Sequence, residues 1–234
     1  MTTSEAERLI GRHYLFKELA PELLTRVIAL TVSRAVQAGE TVFLKGDPGD
    51  ALYAIAEGAV RIGVTHEGGR EIILNVLEPG DVFGEIALID GLSRSADAVA
   101  LTPTRLIVLR RRDFMPLMER EPKVAIHLLE LLCERVRWVS ELVEDNAFLD
   151  VPARLAKRLV GLATAYGRQT PEGIVIDLKV SQQTLGQLLG TSRETVNKIL
   201  QGWSKQGWLD VQRQRVTVRD LPALRTVVEA GRAG

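Results

Sequence analysis

The chain has 234 residues, 46% hydrophobic and 26% charged, enough for one large or two modest soluble domains. No apolar run is long enough to span a bilayer and Met1–Arg12 lacks a signal core. Cys133 is the sole cysteine, so intrachain disulfides are excluded, and a cytoplasmic protein without a membrane partner is expected. Net charge is zero, yet residues 1–149 carry 17 Lys+Arg against 23 Asp+Glu, whereas residues 150–234 carry 13 against 7, so the second part is the one suited to a polyanion.

A short helix is predicted around Pro21–Leu30. From Val32 to Leu109 the sequence reads as short strands, Thr41–Leu44, Ala51–Ala56, Val60–Thr65, Glu71–Leu77 and Leu106–Leu109. Turn residues separate them, among them Gly46 to Asp50, Glu57-Gly58 and Glu78 to Asp81, and Gly68-Gly69 is the clearest hairpin turn. Many short strands at this spacing indicate a barrel or sandwich.

The run Phe83 to Ala96 departs from that rhythm. It predicts a helical turn from Glu85 to Ile89 just after Gly84, then a glycine loop leading to Arg94 and Ser95. Unpaired backbone N–H groups beside an arginine and a hydroxyl suit a phosphate, and Glu85 suits a sugar hydroxyl on the same ligand. A surface Glu–Arg pair is the plain structural alternative.

A long helix is predicted over Glu121–Leu149, opening on Pro122. One apolar stripe comprises Val124, Leu128, Leu131, Trp138 and Leu142; the other comprises Ala125, Leu129, Leu132, Val136, Val139 and Val143. Two stripes suit a helix that packs on its own domain and on a second chain, although burial in a single core would use the same pattern. Cys133 reads as a small buried apolar residue. At Asp150-Val151-Pro152 the proline disfavours helix for its predecessor, so the chain is expected to hinge there. The expected domains are 1–120, the helix 121–149, and 150–234.

Beyond the hinge a helix is predicted over Ala153–Tyr166, a loop over Gly167–Gly173 and a strand over Ile174–Leu178. Ser181 can cap a helix through Leu189, Gly190 closes it, and Ser192 caps a second through Gln201, which together make a helix-turn-helix. Helical spacing sends Val196, Ile199, Leu200 and Trp203 inward and leaves Arg193, Glu194, Asn197 and Lys198 outside. Those residue types can read base edges or hold phosphates, though a solvated helix face has a similar composition. Trp208–Gln212 and Arg215–Val218 are expected to form a wing, in which Arg213 and Arg215 are suited to phosphates.

The order glycine, glutamate, short helix, loop, Arg94-Ser95-Ala96 resembles the phosphate-binding cassette of cyclic-nucleotide-binding domains. The long helix ending in Asn146 to Val151 and the stretch Ser192 to Val196 are similar to the cyclic-AMP receptor group of the Crp/Fnr family. That resemblance implies an α+β fold: an N-terminal β-roll, a dimerisation helix and a C-terminal winged helix-turn-helix. It implies that Arg94 and Ser95 hold a cyclic phosphate, Glu85 the ribose, and Gly84 with the Ile86 backbone completes the cradle, while Arg135, Val139 and Ser140 face the ligand from the long helix. Relatives that read cyclic AMP usually have two hydroxyl residues where Val139 and Ser140 stand; Ala87 also replaces a frequent glycine. Cyclic AMP is the leading ligand, with cyclic GMP, cyclic di-GMP or ligand-independent action as alternatives.

The implied partners are a second copy, RNA polymerase, and double-stranded DNA carrying an inverted repeat of TGTGA-like half-sites. One cysteine is too few for an iron–sulfur cluster. His66 sits in a turn where solvation is simpler than a haem, and His13 and His127 lack partners for a metal. No nucleophile–base set suggests an enzyme; the rival of another class is a cyclic-nucleotide-controlled signalling or enzyme-regulatory subunit.

Overall fold

The computed structural model describes residues 20–66, 71–177, 181–212 and 215–232. It divides into two compact units, Met1–Val136 and Arg137–Gly234, with the boundary inside the long helix. The Gly68-Gly69 turn, Arg213, His13 and the end of the Ile174–Leu178 strand lie outside the described residues.

In the first unit, α1 (Pro21–Ala29) leads into β1 (Thr31–Val36), β2 (Thr41–Phe43), β3 (Ala51–Glu57), β4 (Val60–Thr65), β5 (Glu71–Leu77) and β6 (Val82–Phe83). There follow α2 (Glu85–Asp90), β7 (Asp97–Ala100), β8 (Thr104–Arg110) and α3 (Arg111–Arg120). The strands form two antiparallel four-stranded sheets, ordered β1-β8-β3-β6 and β2-β7-β4-β5. Strand β3 is buried at six of its seven positions or nearly so, because both its faces meet protein; this is why its apolar run lacks clean alternation.

Sequence alone predicts no strand at β6 or β7. Val82 and Phe83 are too short a run to register, and Ala98 and Ala100 are small residues of low strand propensity that pairing with β4 overrides. Nor does sequence predict a helix at α3, where Pro116 is a breaker by composition. Phe114 and Leu117, three apart, are both buried there, and that apolar pair anchors the helix to the core.

The long helix α4 (Pro122–Phe148) has its predicted bounds to within one residue at each end. Val124, Leu128 and Leu131 join Leu88, Phe114 and Leu117 in one core cluster. After Leu149 and Asp150 the chain re-enters helix at Val151, two residues earlier than expected, in α5 (Val151–Tyr166). The proline penalty on its predecessor is offset because Pro152 lies in the first turn, where an N–H is unneeded, and the Asp150 carboxylate accepts from the Ala153 N–H at 2.8 Å.

The second unit continues with β9 (Gly167–Thr170), β10 (Gly173–Ile176), α6 (Gln182–Leu189), α7 (Arg193–Lys205), β11 (Leu209–Gln212), β12 (Arg215–Val218) and α8 (Leu221–Arg232). Its sheet runs β11-β12-β10-β9. The expected Gly167–Gly173 loop is thus partly strand: β9 is an edge whose Arg168 and Gln169 are exposed, so pairing with β10 left no apolar signature.

Candidate functional site

Gly84 adopts φ 84°, a left-handed conformation that a side chain would strain, and a Cβ there would stand 2.7 Å from Arg94 Nη1. This lets Arg94 approach the backbone that opens α2. Its Nη1 donates to the Gly84 carbonyl and its Nη2 to the Ala51 carbonyl, both at 2.9 Å. The guanidinium lies 4.3 Å from the Phe43 ring centroid and 5.5 Å from that of Tyr53, and Arg94 is only 3% exposed. Phe43, Tyr53 and Phe83 pack around it with centroid separations of 5.2 to 5.9 Å. Sequence reasoning had not assigned these aromatics to the site; inward positions on strands next to the cassette were the available signal.

Glu85 is also buried, at 5% exposure. Burial pushes its carboxyl pKa up, against its own backbone N–H and the charges of Arg135 and Arg94, which pull it down. Arg135 on α4 places Nε 3.7 Å from Glu85 Oε1 and donates from Nη2 to the Val82 carbonyl at 2.9 Å. Burial likewise raises nearby Asp81, opposed by the Glu78 N–H and by Arg135. Arg94, Glu85, Gly84 and Arg135 therefore converge. Ile86 and Ser95 are exposed, so Ser95 does not share the burial of its neighbour. Val139 and Ser140 are exposed positions of α4 and fall in the second unit.

The two apolar stripes of α4 have different fates. The first is buried from Val124 to Leu131 and half-buried at Trp138 and Leu142. Of the second, Leu129, Val136 and Val143 are 62, 66 and 64% exposed, whereas Ala125 and Leu132 are half-buried. The exposed line passes instead through Ile126, Leu129, Cys133, Val136, Ser140, Val143 and Ala147, spaced alternately by three and four. Cys133 is therefore not a buried residue: the helix turns it away from the core and onto this line.

In the second unit, Ser181 Oγ accepts from the Thr184 N–H at 3.0 Å and Ser192 Oγ from the Thr195 N–H at 3.1 Å, so each serine caps the helix that sequence assigned to it. A Cβ on Gly186 would come within 2.9 Å of the Thr191 carbonyl; its absence lets α6 pack directly against the start of α7. Helix α7 runs four residues past Gln201, because Trp203 is buried on it and stacks on Trp208 at 6.3 Å. Val196, Leu200 and Trp203 face the core, while Ile199 is half-buried rather than fully inward.

Arg193, Glu194 and Lys198 are exposed; Asn197 is half-buried and shares that face only in part. The Glu194 carboxyl is held below its usual range by its own backbone N–H and then by the Ser192 hydroxyl, which keeps it an acceptor. Arg215, the first residue of β12, is exposed. Among the described residues no group of three His, Cys, Asp or Glu could hold a metal, and no helix is long and apolar enough to cross a membrane.

A model of the cyclic nucleotide-binding domain matches residues 33–121, and one of the Crp-like helix-turn-helix domain matches residues 153–227. The chain is 32% identical over 214 residues to the CRP-like cAMP-activated global transcriptional regulator of Mycobacterium tuberculosis, covering 92% of this chain and 96% of that one. It is 35% identical over 213 residues to the cyclic AMP receptor protein of Thermus thermophilus, covering 91% and 95%. The solved structure of the c-di-GMP responsive global regulator CLP of Xanthomonas campestris matches with a TM-score of 0.76 at 25% identity, over 85% of this chain and 99% of that one. Identity above 30% along nine-tenths of the sequence, with both domain models in the order of the two folded units, means that this protein belongs to the Crp/Fnr family of cyclic-nucleotide-binding transcription regulators.

Proposed function

We propose that two copies of the chain pair along α4 and that a cyclic mononucleotide, cyclic AMP first among them, shifts the pair toward the arrangement that binds an inverted repeat of TGTGA-like half-sites. The observation that carries this reading is the double use of α4. It brings Arg135 to Glu85 in the cradle and leaves Leu129, Val136 and Val143 exposed, so one element meets both ligand site and candidate interface. In the proposal Arg94 and Ser95 take the cyclic phosphate, Glu85 the ribose, and Val139 and Ser140 the base. Arg193 and Glu194 read base edges, with Asn197, Lys198, Ser192, Ser181, Arg213 and Arg215 supporting them on bases or phosphates. The protein acts in the cytoplasm by binding, with RNA polymerase as its protein partner.

The Xanthomonas relative's response to cyclic di-GMP makes that ligand the second candidate. Titration calorimetry against cyclic AMP, cyclic GMP and cyclic di-GMP, paired with DNA-binding anisotropy at fixed salt, tests the reading. Tight cyclic-AMP binding that strengthens attachment to a TGTGA repeat is expected. Binding of that DNA unchanged by all three nucleotides would sink the ligand-responsive part. Val139→Thr should tighten cyclic AMP by about 1 kcal/mol, since valine there cannot hydrogen-bond the base.

A further inference from the structure

Helix α2 is six residues long, too short to fix its own position, and each of its ends meets an arginine from a later helix. At its start, Glu85 faces Arg135 of α4 at 3.7 Å. At its far end, Arg111, the first residue of α3, donates from Nε to the Leu88 carbonyl at 2.7 Å and from Nη2 to that of Ile89 at 3.4 Å. These are last-turn carbonyls without a helical partner of their own, where a cation is also favoured by the helix dipole. Arg111 is itself fixed, because its backbone N–H donates to the Asp50 carbonyl at 2.7 Å, beside the start of β3. Between the two ends, Leu88 is fully buried with Phe114 and Leu117 of α3.

We infer that Arg111 is a positioning residue of the nucleotide cradle, acting through the Leu88 and Ile89 carbonyls to hold α2, and with it Gly84 and Glu85, in the orientation that receives the ligand. The inference rests on the reading of the cassette as the ligand site. Arg111 does not touch the ligand in this account. A fork is required: two carbonyls of consecutive residues are met by two separate donors of one planar group, which a lysine cannot reproduce.

The test compares the full-length wild-type chain with Arg111→Gln and Arg111→Lys. Hydrogen exchange is followed at the Leu88 and Gly91 amides, which donate to Gly84 and Ala87, and cyclic-AMP affinity is measured by calorimetry. We expect at Arg111→Gln roughly tenfold faster exchange at those two amides and roughly tenfold weaker cyclic AMP, with protection of β3 and β8 unchanged. Arg111→Lys should fall between. Unchanged exchange at α2, or wild-type affinity despite faster exchange, overturns the inference. So does weaker binding accompanied by a general loss of protection across β3 and β8, which would mark a merely structural role. If the wild-type chain binds no cyclic AMP, that ligand reading has failed separately, and the exchange data still decide whether Arg111 anchors α2.

Discussion

Arg94 and Phe43 form a cation–π pair at 4.3 Å, with the arginine's two terminal nitrogens already bonded to backbone carbonyls of Gly84 and Ala51. These contacts hold the guanidinium in place, and on the proposed reading of Arg94 as the phosphate anchor that pre-setting lowers the ordering cost of binding. Arg94→Ala should weaken cyclic-nucleotide binding roughly tenfold or more, and Arg94→Lys should restore little, since an ammonium cannot satisfy both carbonyls and stack on the ring. Calorimetry decides this; an Arg94→Ala variant with wild-type affinity would move the phosphate to another site.

Glu85 and Asp81 both have pKa values raised by burial, so in the pH range just above the ordinary carboxylate value the folded chain binds more protons than the unfolded one. Stability contributed by these two groups therefore increases as pH falls through their folded pKa values and levels off near the unfolded ones. The first unit should melt higher as pH drops from neutral toward that range. A Glu85→Gln, Asp81→Asn double variant should show a flatter dependence than wild type in the same scan. An identical slope would mean that other groups control it.

The exposed line on α4 predicts a particle of twice the 25.8 kDa chain mass at micromolar concentration. Val136 and Val143 sit seven residues apart on it, so Val136→Asp with Val143→Asp places repelling charges at two successive levels of a paired seam. Light scattering should then report the single-chain mass. Dimers that survive the double substitution would place the interface elsewhere.

On the proposed DNA-reading role of α7, Arg193→Ala should cost roughly 1–3 kcal/mol on the preferred site and relax the requirement for one guanine, because the proposed bidentate contact to its edge would be lost. Arg215→Ala should weaken all sequences alike and reduce the salt slope by about one. Binding-site selection on the Arg193→Ala protein separates the two roles. An unchanged base preference would remove α7 as the reader.

Sequence alone gave access to whatever depends on local chemistry. Serine caps at Ser181 and Ser192, the Gly84 turn and the apolar period of α4 each leave a mark within a few residues. What it could not supply depends on distant neighbours. Nothing near Arg94 announces that Ala51, 43 residues earlier, will accept its hydrogen bond, and nothing near Arg111 announces the carbonyls of Leu88 and Ile89. The exposure of Cys133 turns on a small difference in helix phase, which decides which side of α4 the core covers. Strand β9 was hidden for another reason: an exposed edge needs no apolar residues to pair.

Polar side chains link the end of α4 to α5. Lys157 Nζ lies 2.6 Å from Asp145 Oδ2, and Arg154 Nη1 donates to the Asn146 side-chain oxygen. Burial lowers the pKa of nearby Arg158, and the Asp145 charge opposes that shift. Partly exposed pairs of this kind are screened by the same ions that compete with arginines for DNA phosphates. Ionic strength is therefore expected to act on this regulator twice, once at the DNA and once at the junction of α4 with α5. Lys157→Gln should leave a smaller salt dependence of DNA affinity than wild type, although no phosphate contact has been removed; an unaltered slope would show the junction to be rigid without its charges. Salt is thus expected to loosen the joint between α4 and α5 as well as the hold on DNA.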